Sequence, residues 1–118
     1  MKHLLLIALA AAALQATDAT GTWSGTLTPS DSTEPRPAHL VLKQDGDKLT
    51  GTAGPDAGNQ RPIQNGKVEE GNLSFEVPTG DTAMKFKLKQ NGDEISGDIT
   101  RERDGRAETA RLVVKRTN

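Results

Sequence analysis

Lys43-Gln44-Asp45-Gly46-Asp47-Lys48-Leu49-Thr50-Gly51 recurs 46 residues later as Lys89-Gln90-Asn91-Gly92-Asp93-Glu94-Ile95-Ser96-Gly97, with the Lys, the Gln, both glycines and the intervening Asp unchanged. Asp-Gly and Asn-Gly are preferred two-residue turns between antiparallel strands, because type I′ geometry needs positive φ at both central positions. Both copies therefore read as β-hairpins. Their spacing suggests either two related halves of one domain or one hairpin chemistry used twice.

Centring the second turn on Asn91-Gly92 sets Lys89 against Glu94, Leu88 against Ile95, Phe86 against Gly97, Lys85 against Asp98 and Met84 against Ile99. Centring the next on Asp104-Gly105 sets Arg101 against Glu108, Ile99 against Ala110, Asp98 against Arg111, Gly97 against Leu112 and Ile95 against Val114. The two registers agree on one apolar face and on an outer ladder of Lys85, Asp98 and Arg111. A one-residue slip would turn the apolar set into water. By the same logic Gly51 faces Leu40, and Gly66 faces Phe75 across a third turn at Glu70-Gly71. A bulky side chain over each bare glycine is a device of strongly coiled small barrels.

Working outward, the period-2 pattern places strands at about 20–28, 37–45, 48–54, 62–69, 72–78, 82–90, 93–101 and 107–116. The Pro-, Asp-, Ser- and Gly-rich segments 29–36 and 54–60 read as irregular rim loops. The expected fold is all-β: an eight-stranded antiparallel up-and-down meander, closed or half-open as a small barrel of lipocalin or avidin type, following an N-terminal signal helix.

That signal helix is a reading of Met1-Lys2-His3, an unbroken apolar run from Leu4 to Leu14, and the small residues Ala16 and Ala19. The run is too short to span a bilayer, which takes about 20 apolar residues, so removal is expected, after Ala16 or after Ala19. The division is 1–19 signal peptide and 20–118 a single barrel domain, exported to the periplasm or secreted. The chain has no Cys, which leaves no disulfide framework and no lipid-attachment site. Setting Lys2 aside leaves 14 basic against 16 acidic residues with no block of one sign, so neither nucleic acid nor an anionic membrane is an expected partner. A monomer is expected.

Few residues carry chemistry. His39 is the sole imidazole after the signal and reads as a solvated strand residue opposite Thr52, without a nucleophile beside it. No catalytic residue, cofactor or metal site is expected: Asp45, Asp47 and Asp56 lack calcium-loop spacing and each has a turn role. Lys85, Lys87 and Lys89 read as a solvated face. Trp23 either plugs one end of the barrel or lines a pocket with Leu40, Phe75 and Phe86, the candidate ligand-binding set. Its indole N–H needs a partner in either case.

The run Gly21-Thr22-Trp23-Ser24-Gly25-Thr26-Leu27, with Lys48-Leu49-Thr50-Gly51-Thr52, Pro62-Ile63, Leu73 to Pro78, Ile95-Ser96-Gly97 and Lys115-Arg116, resembles the small β domain found N-terminal to some exported bacterial α/β hydrolases, and similar standalone exported proteins. Gly21-Thr22-Trp23 is also similar to the openings of lipocalin and avidin barrels. The resemblance implies fold more than activity. No G-x-S-x-G occurs, so a hydrolase centre of that type is not expected. The expected function is an exported non-catalytic binding module for a small apolar or amphipathic ligand or for an envelope protein. The alternative is a ligand-free accessory domain that docks to another exported protein such as a hydrolase.

Overall fold

The computed structural model describes residues 18–80 and 82–117; the expected signal helix lies outside them. The strands are β1 (Gly21–Pro29), β2 (Arg36–Asp45), β3 (Lys48–Asp56), β4 (Asn59–Pro62), β5 (Gln64–Glu69), β6 (Asn72–Pro78), β7 (Ala83–Asn91), β8 (Glu94–Arg103) and β9 (Arg106–Arg116). Every pairing is antiparallel, and sequence neighbours pair around the sheet. The first and last strands also pair, from Trp23 opposite Arg116 to Pro29 opposite Ala110, and this closes the barrel. β4 and β5 together serve as a single barrel strand against β3, interrupted near Ile63, so the closed ring has eight staves.

The inner face is apolar throughout. Trp23, Leu40, Leu42, Leu49, Leu73, Phe75, Phe86, Leu88, Ile95, Ile99, Leu112 and Val114 are buried in one cluster, with Leu27, Val68, Met84 and Ala110 packed against it. Alternate residues point to solvent, the period-2 consequence of a pleated strand. Trp23 and Phe75 supply the largest fully buried side chains. A fully buried Leu, Ile or Phe contributes roughly 1.5–3 kcal/mol.

Three details differ from the sequence reading. The two repeat hairpins turn on Gly46-Asp47 and Gly92-Asp93, with Asp45 opposite Lys48 and Asn91 opposite Glu94. Positive φ falls on Gly46 (65°) and Gly92 (63°) alone, which fits a type II′ turn with glycine first. The register therefore moves by two residues: Gly51 faces Leu42, Gly97 faces Leu88 and Phe86 faces Ile99. Because two is the side-chain period, the inner and outer faces are unchanged. The outer row becomes Lys87, Asp98 and Arg111, while Lys85 lies between Glu76 and Thr100. The turns at Glu70-Gly71 and Asp104-Gly105 do carry positive φ at both positions, and the Asp104-Gly105 register is as expected.

The second difference is at Gly66, which pairs with Leu49; the β5–β6 ladder is irregular between Gln64 and Lys67, and Asn65 takes φ 54° there. The bulge bends the strand and removes the expected match with Phe75. Third, the segment from Gly54 to Gln60 is not an irregular loop. It belongs to the β3–β4 hairpin, whose turn is held by the Asp56 carboxylate accepting from the Gly58 N–H and the Asn59 side-chain amide, both at 2.9 Å.

Coiling this tight leaves no room at some glycines. A Cβ on Gly97 would run into the Lys87 carbonyl and lie 2.7 Å from Leu88 Cα. Gly97→Ala is expected to cost about 1–3 kcal/mol, read as a lower urea midpoint at unchanged slope. Thr100→Ala on the exposed face should stay within about 0.5 kcal/mol of wild type.

Candidate functional site

All four interior candidates are buried: Trp23 is 0%, Leu40 2%, Phe75 2% and Phe86 5% exposed. They form two cross-strand pairs. Trp23 lies opposite Leu40 on β1 and β2. Phe75 lies opposite Phe86 on β6 and β7, their rings stacked with centroids 4.5 Å apart and planes 21° from parallel.

Trp23 sits at the barrel end where β1 begins and β9 finishes, and its surroundings close that end. The indole Nε1–H donates to the Ala19 carbonyl at 3.0 Å. The Arg116 guanidinium lies 4.4 Å from the ring centroid on the other side, a cation–π contact. Arg116 also donates to the carbonyls of Asp18 and Thr20 and bonds the Asp93 carboxylate at 2.8 Å. Here the repeat shows its purpose. Gln44 and Gln90 occupy matching places, each donating through Nε2 to the glycine carbonyl of its own turn at 3.0 Å. With its other contacts, Gln44 accepts the Ala19 N–H at 2.9 Å, and Gln90 donates to the Asp18 carbonyl at 3.1 Å. The chain segment Asp18–Thr20 is thereby tied down over the indole, and Ala19 is 0% exposed.

Two concavities stand out on the described surface, and both lie outside the barrel. One is the loop Ser30 to Glu34. The other is an open groove of about 620 Å³ across β5 to β9, bordered by Lys67, Glu69, Ser74, Lys87, Lys89 and Arg111 among others. One cross-strand row runs Asp45, Lys48, Lys67, Ser74, Lys87, Asp98 and Arg111. Lys48 faces Lys67 directly, and like charges directly opposed on a ladder are destabilising. Arg111 answers Asp98 at 3.4 Å. Among the described residues Lys48, Lys67, Lys87 and Lys89 take part in no ion pair. Lys89 lies between Asn72 and Ser96 rather than opposite Glu94, and the carboxylates opposite this stripe are instead Glu76 against Lys85 and Asp98 against Lys87.

His39 also differs from expectation. It lies between Ser24 and Gly54, not opposite Thr52, and its Nδ1 is 2.9 Å from Ser24 Oγ. The register shift accounts for Gly54 in place of Thr52, while Ser24 lies on β1, whose register against β2 no tight turn fixes. A serine paired with an imidazole needs a further group to orient the base, and among the described residues no carboxylate hydrogen-bonds this ring. No group of three or more His, Asp or Glu suited to a metal ion occurs among the described residues.

Comparison with protein-family models, curated proteins and solved structures finds no match to this chain.

Removing the guanidinium tests the closed end. Arg116→Met keeps the length of the side chain but not its donors, and should lower stability by about 1–3 kcal/mol. The same change should shift Trp23 emission to the red, since water then reaches the indole.

Proposed function

We propose that this protein is an exported, non-catalytic binding module that engages an acidic surface of an envelope partner with the outside of its barrel. The observation that carries the reading is the basic row over the outer groove. Lys48 and Lys67 are directly opposed, none of Lys48, Lys67, Lys87 and Lys89 forms an ion pair among the described residues although Asp45 and Asp98 lie opposite Lys48 and Lys87, and Lys87 and Lys89 continue the same face. Sequences break local pairing rules of this kind chiefly where function asks for it. An acidic partner relieves the repulsion, and complementary charge speeds and orients docking.

The interior supports the same choice between the two ligand classes. A small apolar ligand would have to displace the stacked Phe75 and Phe86 or the hydrogen-bonded Trp23, all deep in the packed cluster. The resemblance to domains fused to exported hydrolases favours a protein as the partner, and a hydrolase is the first candidate. Export rests on the N-terminal sequence pattern.

Two measurements test this. Trp23 emission should be blue-shifted and unchanged by added long-chain fatty acid; a saturable change would favour an interior ligand instead. Carbodiimide coupling, which joins lysine amines to carboxylates, should link the protein in intact envelopes to a defined partner, and the yield should fall with salt. Lys67→Glu with Lys87→Glu and Lys89→Glu should abolish that product, whereas Lys43→Glu on β2 should not. The reversal at position 67 sets opposite charges against Lys48 while that at 87 sets Glu against Asp98, each worth roughly 0.2–1 kcal/mol, so the two offset and the triple variant should remain folded. Equal coupling by wild type and triple variant would overturn the proposal.

A further inference from the structure

The two small residues that mark the end of the export signal, Ala16 and Ala19, are not equivalent once the barrel is formed. Ala19 is completely buried. Its carbonyl accepts the Trp23 indole N–H, and its own N–H donates to Gln44 Oε1 at 2.9 Å. The residue before it is held as firmly: the Asp18 carbonyl accepts from Gln90 Nε2 at 3.1 Å and from an Arg116 Nη at 2.8 Å. The Asp18 carboxylate in turn accepts from both the N–H and the hydroxyl of Thr20 at 2.7 Å. Four side chains, one each from β1, β2, β7 and β9, thus converge on two residues that a cut after Ala19 would remove.

Charge argues in the same direction. A cut after Ala19 would create an ammonium group on Thr20, whose carbonyl already accepts from Arg116. That places a new cation beside the guanidinium that lies over Trp23, while deleting the Asp18 carboxylate nearby. The buried indole N–H would lose its acceptor and the guanidinium the Asp18 carbonyl, one of its three partners.

We infer that the signal is removed at the Ala16–Thr17 bond, so that Asp18 and Ala19 belong to the mature protein and form the plug of the barrel. The domain then begins ahead of residue 20, and the segment expected to be the tail of the export signal is a structural part of the delivered fold. The assignment rests on the export reading proposed above, and the two can fail separately.

The test is the intact mass of the protein recovered from the envelope of an export-competent bacterium expressing the full chain. A mature chain starting at Thr17 is expected. A start at Thr20 overturns the assignment and leaves export standing. Full-length chain retained in the cytoplasm overturns export and the assignment together. A second arm replaces the small residue required beside the cut: Ala16→Phe should accumulate precursor. Release of that variant at the Ala19–Thr20 bond at the wild-type rate overturns the assignment.

Discussion

The pairing of β1 with β9 is the constraint on which the rest of the molecule depends. It joins residues about ninety positions apart, from Trp23 against Arg116 to Pro29 against Ala110, and converts a meander into a ring without free edges. Closure is what lets so sparse a sequence hold a core. With one Trp, two Phe and no Tyr, there is too little apolar volume for a thick sandwich. In a narrow ring the same few side chains meet across a common axis, and each is surrounded on every side by the others. Tight curvature has its own cost, visible at Gly25, where a Cβ would lie 2.7 Å from Val114 Cα on the closing strand.

Inside and outside of this ring answer to different chemistry. The inside is a buried apolar cluster, and the indole N–H at its end is satisfied by backbone. The outside carries charges of both signs, and at Lys48 against Lys67 it sets like charges face to face. Net charge close to zero conceals this, because composition averages over faces that a partner meets one at a time.

Much of the architecture was legible in the residues because faces depend only on parity. The large apolar positions of β7, β8 and β9 alternate from Met84 to Val114 with Val113 the exception, so the core could be read even with a turn misplaced by one residue. Turn chemistry was harder. Asp45-Gly46 and Asn91-Gly92 have the composition of a type I′ turn, yet Gln44 and Gln90 reach the carbonyls of Gly46 and Gly92 and the loops form one residue later. The partners of Lys89 and the β3 neighbour of His39 were lost with that shift, because who faces whom depends on register and not on parity. Trp23, Leu40, Phe75 and Phe86 were recognisable as interior, but no periodicity distinguishes a filled barrel from one with a pocket. Arg116 was seen as part of a basic terminus. Nothing local marks an arginine as the lid over a tryptophan 93 residues earlier, although a lone inward-facing cation on a strand of apolar residues is the signal that was there to find.

The paired glutamines carry a consequence for the order in which the molecule assembles. Gln44 and Gln90 can grip the segment at Asp18 and Ala19 only after the β2–β3 and β7–β8 hairpins have formed. Arg116 adds the final strand to the same clasp. Local hairpins close quickly, whereas contacts spanning the whole chain wait on them. The first residues to emerge from synthesis are thus among the last to find their place, and the barrel end stays open until the C-terminal strand arrives to shut it.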